Sequence, residues 1–401
     1  MGEWKRAKLG SLIRIKHGYA FPGAGITSDD NGKVLVTPGN FNIGGGFKES
    51  GKKFFSGEFP AEYCLSGGDL IVTMTDLSKA SDTLGYSAIV PSNSDNQYLH
   101  NQRIGLVGIV DEMADRNFIY WLMRTPSYHH EVVAGASGTT VKHTSPSRIY
   151  DVEVELPDLP TQRRIAAVLG ALDDKIEVNR KICENLEAQA QALFKGMKRR
   201  AEESSFVQVI DILSGGTPKT SVPEYWNGGI PFFSPKDVGG LFTISTERNI
   251  TDQGLANCNS ILYPKGTTFV TARGTVGKVC LAGVPMAMNQ SCFALASNEI
   301  DPLLVYFYTC ASVDSLKSKA NGSVFAAITI AEFETEKIHR LTDPEEERFV
   351  KTIRPMFDQI LVRQQESRAL AAMRDALLPK LMSGELAVEK VEVVERVTLK
   401  G

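Results

Sequence analysis

An internal repeat constrains the fold of this 401-residue chain more than any other feature of its sequence. The segment CLSGGDLIVTMT at 64–75 matches LYPKGTTFVTAR at 262–273, and the match continues on both sides. The difference in residue number between matched positions, called the shift here, decreases twice along the chain. The matched pairs are Gly18 with Gly216, Gly68 with Gly266 and Thr73 with Thr271 (shift 198), Asn101-Gln102 with Asn289-Gln290 (188), and Gly138 with Gly322, Pro160 with Pro344, Arg164 with Arg348, Asp174 with Asp358 and Ile176 with Ile360 (184). Shorter loops in the second copy explain these steps. The repeat predicts two copies of one structural unit.

Each copy consists of a β-rich block followed by a helix-forming block. The β-rich blocks show short alternating apolar runs and Gly/Pro turns, whereas the helical blocks are rich in Ala, Leu, Glu, Arg and Gln. The predicted boundaries are 1–157 and 201–341 for the β-rich domains, 158–200 and 342–387 for the helices, and 388–401 for a charged tail. Because the Asn-Gln pair recurs in both copies, we expect it to have a shared structural role.

The helical blocks carry a heptad seam, in which apolar residues alternate at steps of four and three. Such a seam predicts a helix that packs against a partner helix. Thirty-nine residues at about 1.5 Å each give a rod of about 58 Å. Pro355 predicts a kink or a late start in the second helix. The predicted seam residues are Ile165, Leu169, Leu172, Ile176, Leu186 and Leu193 in the first helix and Ile353, Ile360, Leu370 and Leu377 in the second.

The predicted fold class is therefore α+β, with two β-rich domains each followed by a long α-helix. We expect the two helices to pack as an antiparallel coiled coil, so that a pseudo-two-fold axis relates the two copies of the internal repeat. Two modules at a fixed separation suit a long, two-fold-like target such as duplex DNA.

Composition places the chain among ordinary globular proteins, with 42% hydrophobic and 23% charged residues. There is no run of eighteen apolar residues, and the start MGEWKRAKLG lacks the apolar run of a secretory signal. We therefore expect a cytoplasmic protein without membrane contact. The six cysteines include no C-x-x-C pair, so neither a disulfide framework nor a zinc site is predicted.

Charge is distributed unevenly along the chain. Residues 1–157 carry 15 basic and 17 acidic side chains, and 201–341 carry 10 and 13, whereas 158–200 carry 9 and 6. Proteins that bind nucleic acid unaided usually show a strong basic footprint. DNA binding would therefore depend on a local face or on a partner that supplies phosphate contacts.

Catalytic motifs are missing from the sequence. ARGTVGKV at 272–279 fails the phosphate-loop pattern twice, at Ala272 and Val279, and no Pro-Pro dipeptide exists for an amino-methyltransferase loop. We predict no catalytic residues, no metal and no enzyme activity in the chain itself. Two alternatives stay open, namely a scaffold or adaptor with two protein-binding modules and an enzyme fused to a recognition module.

Four long segments carry a resemblance to a known family, and it extends over essentially the whole chain. They are PDLPTQRRIAAVLGALDDKIEVNRKICENLEAQAQALFK (157–195), GTTVKHTSPSRI (138–149), GGTPKTSVPEYWNGGIPFFSPKDV (215–238) and LLPKLMSGEL (377–386). In these segments the chain resembles the DNA specificity subunits of type I restriction-modification systems. It departs from the family pattern at TDPEEERFVKTIRPMFDQI (342–360) and at GSVFAAIT (322–329), which lacks the Lys-His of the first copy.

The resemblance implies that the β-rich blocks are target-recognition domains and the helices conserved spacers. Each domain would read one half of a bipartite double-stranded DNA site, and the helices would set the gap and dock two methyltransferase subunits. Endonuclease/translocase subunits would join that core. No cofactor is implied for this chain, whereas S-adenosylmethionine, ATP and Mg are implied for the partner subunits.

Candidate contacts follow from the chemistry of DNA recognition, in which hydroxyls, amides and basic side chains bind phosphates while Arg, Asn and Gln read bases. The candidates in the first domain are Lys16, Tyr19, Asn40, Thr75, Lys79, Arg103, Lys142 and His143. Those in the second domain are Thr217, Lys219, Tyr225, Lys236, Arg273, Thr275 and Lys278. Partner-docking candidates on the first helix, away from its seam, are Arg164, Lys175, Arg180 and Lys181.

Overall fold

The computed structural model describes residues 4–78, 80–92, 95–200, 202–320 and 327–391. Lys79 and residues 392–401 of the predicted tail lie outside them. The chain forms two compact units: unit 1 comprises 1–174 and 370–401, and unit 2 comprises 175–369. The two long helices cross from one unit to the other, so each unit contains part of both.

Unit 1 contains a five-stranded sheet in the order β3-β5-β4-β10-β6 and a four-stranded sheet in the order β2-β11-β7-β9. Two further ladders pair β1 with β13 and β12 with β8. The strands are β1 (Lys5–Lys8), β2 (Ile13–His17), β3 (Ile26–Thr27), β4 (Lys33–Val36), β5 (Lys53–Phe55), β6 (Cys64–Leu65), β7 (Leu70–Thr73), β8 (Thr75–Asp76), β9 (Ser87–Ile89), β10 (Gln97–His100), β11 (Ile104–Ile109), β12 (Lys142–His143) and β13 (Glu153–Leu156). The helices are α1 (Leu9–Leu12), α2 (Arg116–Leu122), α3 (Pro126–Ala134), α4 (Pro146–Tyr150) and the long α5 (Leu159–Gly196).

Unit 2 repeats this plan with a five-stranded sheet in the order β15-β22-β19-β20-β17, a three-stranded sheet β18-β16-β21 and the pair β14-β23. Its strands are β14 (Ser204–Ser205), β15 (Asp211–Ser214), β16 (Trp226–Phe233), β17 (Phe242–Thr243), β18 (Asn249–Ile250), β19 (Thr268–Thr271), β20 (Val279–Ala282), β21 (Ala287–Met288), β22 (Cys292–Ala296) and β23 (Lys337–Ile338). Its helices are α6 (Phe206–Val209), α7 (Asp252–Ala256), α8 (Pro302–Ala320), α9 (Ile330–Glu334) and the long α10 (Asp343–Met382).

The long helices pack against each other inside both units. In unit 1, Ile165 and Leu169 of α5 share one buried core with Leu381 of α10. In unit 2, the Sγ atom of Cys183 lies 3.7 Å from the carbonyl oxygen of Ile360. Because later positions of α5 meet earlier positions of α10, the helices run antiparallel. The predicted architecture is confirmed.

Burial along the two helices follows most of the predicted seam, with one clear departure. Leu193 is wrong as a seam residue, since its side chain is 41% exposed. Phe194 is buried in its place and packs against Phe307 and Phe349, with ring centres 5.0 and 5.4 Å away. The buried face of α5 at this level is therefore shifted by one residue, so that it meets the aromatic core of unit 2. Ile165, Leu169, Ile353 and Ile360 are buried, whereas Leu172, Ile176, Leu186, Leu370 and Leu377 are half-buried.

Polar residues interrupt the seam at two levels. In unit 2, Asn179 is fully buried and donates to Glu366 and Ser367 of α10 at 2.9 and 3.3 Å. In unit 1, Asp173 accepts from Arg374 of α10 and, at 2.9 Å, from Arg124. Polar contacts of this kind, one buried and one partly exposed, favour one helix register, since a slipped register would leave these groups unpaired.

The ends of the helices differ in detail from the sequence predictions. α10 begins at Asp343 and passes through Pro355, so a late start is wrong. It ends at Met382, and Gly384 follows in the left-handed region at φ 72°. The predicted tail begins too early, because Val388 is buried in the core of unit 1.

The first turn of α5 is held to the rest of unit 1 by Gln162, which is 1% exposed. Its Nε2 atom donates to the carbonyl oxygens of Met113 and Pro157, each at 2.8 Å. Its Oε1 atom accepts from the backbone N–H of Asp115, also at 2.8 Å. One side chain therefore satisfies three backbone groups where the helix leaves the β-rich domain.

We expect Gln162→Ala to lower the free energy of unfolding by about 2–4 kcal/mol, because it leaves buried backbone donors and acceptors without partners. Urea unfolding of the full chain measures the change. Gln189→Ala is the matched control, since Gln189 is exposed and its side chain donates to Asn185 of its own helix. Equal stability of the two variants would contradict this role.

Candidate nucleic-acid interface

Four loops of unit 1 lie side by side at one edge, joined by backbone hydrogen bonds. Tyr19 N donates to the carbonyl oxygen of His100 at 2.8 Å, and Met74 N donates to that of Arg103 at 2.9 Å. Thr144 N in turn donates to the carbonyl oxygen of Met74 at 3.0 Å. We call this surface, made of 19–20, 74–75, 101–103 and 142–144, the loop row of unit 1.

Unit 2 contains the same arrangement. Gly216 N donates to the carbonyl oxygen of Met288 at 3.0 Å, and Ala272 N donates to that of Ser291 at 2.8 Å. Ile328 N donates to the carbonyl oxygen of Ala272 at 3.0 Å. The loop row of unit 2 comprises 216–217, 272–278, 289–291 and 327–328. The two rows share a backbone framework, so their exposed side chains can differ without changing it.

The framework also corrects the sequence alignment at one point. A Cβ atom added to Gly18 would lie 2.2 Å from the carbonyl oxygen of Asn101, and one added to Gly215 would lie 2.3 Å from that of Asn289. Gly18 therefore corresponds to Gly215 and not to Gly216. Both positions require glycine because the backbone of the neighbouring loop passes directly over them.

Several predicted residues of unit 1 meet near its loop row. Lys16 lies on β2, where its Nζ atom is 3.3 Å from the carbonyl oxygen of Glu62 and 5.0 Å from the ring centre of Tyr63. Tyr19 packs against the same ring at 5.3 Å. Arg103 is exposed on the row. Cations and aromatic rings together form a surface suited to a nucleic acid.

Lys142 and His143 form strand β12 at the other end of the row. His143 is exposed, and its Nδ1 atom lies 3.1 Å from the hydroxyl of Thr75. Thr75 itself is only 4% exposed, so its prediction as a contact is wrong. Its hydroxyl instead holds the imidazole in place.

Asn40 is also wrong as a contact. It is fully buried and caps a 3-10 turn, accepting from Thr37 N at 2.9 Å. Asp237 does the same for Ser234 in unit 2, at 2.8 Å. The polar side chain is required by the turn, which the sequence TPGN did not make evident.

In unit 2, four predicted residues lie on the loop row and three do not. Arg273, Thr275 and Lys278 are exposed on the hairpin between β19 and β20, and Thr217 is exposed on the adjacent loop. The remaining three lie near strand β16 or the turn after it: Lys219 is exposed, Tyr225 is half-buried against the Trp226 cluster, and Lys236 is exposed 3.8 Å from Glu247.

Sequence reasoning missed two cations of unit 2. The guanidinium carbon of Arg248 lies 3.5 Å from the ring centre of Trp226, and the stem of Lys317 passes against Gly277 of the hairpin. Neither belongs to a motif, and both reach their positions only through the tertiary fold. The exposed Gln102 and Gln290 were also missed, because the recurrence of the pair in both copies predicted a structural role.

A carboxylate stabilises the loop that follows β7 in unit 1. Asp76 is 3% exposed and accepts from Ser78 N and Thr83 N, each at 2.6 Å, and from the Thr83 hydroxyl at 2.8 Å. Burial alone would raise the pKa of Asp76, but these hydrogen bonds outweigh it and hold the pKa below its ordinary value. The ionised form therefore stabilises the fold.

We expect Asp76→Asn to lower the free energy of unfolding by about 1–3 kcal/mol at pH 7. Because the folded-state pKa lies below the unfolded value, this stabilisation is present above the unfolded pKa and is lost as the pH falls through the folded one. The difference between the variant and the unaltered chain should thus shrink below about pH 4. Urea unfolding at several pH values measures it, with the exposed Asp95→Asn as the control. A difference that stays constant with pH would contradict this account.

The predicted docking residues on α5 all form ion pairs. Arg164 pairs with Glu389 at 2.8 Å. Lys175 is only 21% exposed and lies 3.9 Å from Glu366 of α10, so it borders the helix pair and is wrong as a member of an outer face. Arg180 and Lys181 are exposed and pair with Glu177 of their own helix, at 2.7 and 3.4 Å.

Among the residues that the structure describes, no cluster of three His, Cys, Asp or Glu side chains has metal-binding geometry. No helix within the same part of the chain is long and apolar enough to span a membrane.

Comparison with known proteins places this geometry in a family. A family model described as type I restriction modification DNA specificity domain matches residues 1–188 and again 200–370. The MjaIX specificity subunit of Methanocaldococcus jannaschii is 28% identical over 166 residues, covering 40% of this chain and 38% of that protein. The HindI specificity subunit of Haemophilus influenzae is 24% identical over 363 residues, covering 67% and 77%.

A solved structure has the same fold. The S subunit of a type I restriction-modification system from M. genitalium superposes with a TM-score of 0.58 at 16% identity, covering 95% of this chain and 96% of that one. With the family model matching both copies of the repeat, the conclusion is direct: the chain belongs to the type I restriction-modification DNA specificity family.

Proposed function

We propose that this chain is the sequence-specific DNA-recognition subunit of a type I restriction-modification complex, in which each unit reads one half of a bipartite site. The observation that carries the proposal is the loop row, which is built twice on the same backbone hydrogen bonds and bears different exposed side chains in each unit. A shared framework with variable side chains suits two readers of different base sequences.

The charge of the chain determines which contacts it makes alone. Both β-rich blocks are net acidic, with 15 basic against 17 acidic and 10 against 13 side chains. Phosphate contacts supply much of the affinity of a DNA-binding protein. We therefore propose that methyltransferase subunits, docked on α5 and α10, complete these contacts. Methylation and cleavage, with S-adenosylmethionine, ATP and Mg, belong in this proposal to the partner subunits and not to this chain.

The test compares binding to two DNA duplexes. One contains the sequence that the host system methylates, and the other lacks that sequence. The chain with its methyltransferase subunits should retain the specific duplex, with an affinity that falls steeply as salt rises. The free chain should bind weakly. Two outcomes contradict the proposal: no DNA retention by the complex, as expected of a scaffold or adaptor, or methylation by the chain after its partners are removed.

We expect Arg180→Glu combined with Lys181→Glu to weaken methyltransferase assembly at least tenfold while the chain stays folded. The new like-charge contacts within α5 cost only about 0.2–0.5 kcal/mol each, whereas an approaching subunit meets a reversed charge. Analytical ultracentrifugation measures assembly. Lys5→Glu combined with Lys53→Glu is the matched control, because both lysines are exposed and lie on strands of the β-rich domain. Unchanged assembly of the α5 variant would refute this docking surface.

A further inference from the structure

The Asn-Gln pair lies at the same place in both loop rows, but its two residues play different roles. Asn101 Oδ1 accepts from Arg103 N, and Asn289 Oδ1 accepts from Ser291 N, each at 3.0 Å. The asparagines therefore form the same turn, which explains their recurrence. The glutamine that follows each one is exposed, so the turn does not explain it.

Gln290 differs from its counterpart because a neighbouring hydroxyl holds its carboxamide. The Thr217 hydroxyl donates to Gln290 Oε1, so the oxygen is engaged. The two Nε2 hydrogens meet no acceptor among the described residues. In unit 1 the position of Thr217 is occupied by Ala20, which has no hydroxyl, and the Gln102 carboxamide makes no hydrogen bond to any described residue.

The hairpin that carries Arg273 lies directly beside Gln290. Ala272 N and Arg273 N approach the carbonyl oxygen of Ser291 to 2.8 and 3.2 Å, and Ser291 follows Gln290 in the chain. This part of the loop row thus combines a guanidinium, which only donates, with an amide group whose donors are uncommitted. Hydrogen-bond acceptors are the matching chemistry. In the major groove, guanine presents two of them, O6 and N7.

We propose that Gln290 reads one base directly as a hydrogen-bond donor, and that Thr217 positions it by engaging its oxygen. The inference rests on the proposed function of the chain. It adds the residue that reads the base and the chemistry of the base edge, which must present hydrogen-bond acceptors. Guanine is the base that fits best. Gln102 can present either its oxygen or its nitrogen, because no hydroxyl fixes its orientation. It therefore discriminates less at the equivalent base pair.

The test uses the chain assembled with its methyltransferase subunits and a pool of duplexes in which each base pair of the recognised site is varied. Gln290→Ala should reduce discrimination at one base pair of one half-site by about 5-fold, the lower end of the range for a bidentate base contact, because Gln290 donates through Nε2 alone. Gln290→Glu, which can only accept, should shift the preference at that same base pair toward cytosine.

Variants of Thr217 separate positioning from folding. Thr217→Val should lower discrimination at the same base pair, whereas Thr217→Ser keeps the hydroxyl and should match the unaltered complex. Ala20→Thr should sharpen one base pair of the other half-site.

Unchanged base preference in Gln290→Ala and Gln290→Glu would overturn the inference, as would a Thr217→Val variant that loses thermal stability without losing discrimination. An unaltered complex without any base preference would instead overturn the proposed function itself. The two failures are therefore distinguishable.

Discussion

Replacing residues 201–341 with the corresponding block of a relative is expected to change one half of the recognised DNA sequence and to leave the other half and the gap intact. The block belongs wholly to unit 2. Its ends lie together, since Arg200 N donates to the carbonyl oxygen of Arg340 at 2.7 Å and β14 pairs with β23 directly inside them. A replacement with the same ends therefore leaves the chain path into α10 unchanged.

The replacement must also fit the helices on which the block packs. Ala190 and Phe194 of α5 and Phe349 and Ile353 of α10 are buried in the core of unit 2. The donor should therefore be a relative that keeps small and aromatic residues at these places, because a mismatch would leave cavities that cost several kcal/mol, about 2–5 for a large side chain.

Methylation mapping of a host that carries the replaced chain measures the result. The control exchanges the same block for that of a relative with an identical recognised sequence, which should change nothing. If the replacement alters both halves of the site, the two units do not read DNA independently.

Adding one heptad to each long helix at the division between the units is expected to lengthen the gap by about two to three base pairs. Seven residues add about 10.5 Å, close to three base-pair steps of about 3.4 Å. The insertion points, after Asp174 in α5 and after Ala369 in α10, lie where one unit ends and the other begins. A whole heptad keeps the seam on the same helix faces.

The position of the insertion matters because of what α5 buries. Four residues added near Ala190 would lengthen the helix by about 6 Å, but Ala190 is fully buried in unit 2 and Phe194 would be displaced from the aromatic core. That variant is expected to lose stability as well as to change the spacing between the half-sites.

The readout is again methylation mapping. Both half-sites should keep their bases, and affinity should fall, because three extra base pairs turn one half-site by about 100° relative to the other. One heptad in α5 alone is the control, since it breaks the helix pairing and should abolish binding. Changed bases at an unchanged spacing would show that the helices do not set the gap.

The sequence predicted those features of the fold that have long periodic signals. The repeat identified two units, and the heptads identified α5 and α10 as partners. The buried face of α5 near Leu193 could not be predicted, because heptad periodicity carries no information on the size of the core against which the helix packs. That core buries Phe194 instead of Leu193.

The candidate site was harder to predict, because exposure depends on turns that are formed by distant residues. Asn40 and Thr75 look like polar loop residues in the sequence, yet a 3-10 turn and an imidazole engage them. The Asn-Gln repeat showed the opposite problem. One residue of the pair is required by the turn, so recurrence concealed the exposure of the other.

The hairpins at the centres of the two loop rows differ greatly in length between identical ends. Gly85 N donates to the carbonyl oxygen of Thr73 at 2.9 Å, and Gly277 N donates to that of Thr271 at 2.8 Å, so the same bond closes 74–84 in one unit and 272–276 in the other. The entropic cost of the longer closure is only about 0.7 kcal/mol. Loop closure itself therefore adds little to the cost of a longer segment, and a library of peptides inserted into the shorter hairpin, at 272–276, is the natural starting point for selecting new DNA specificities.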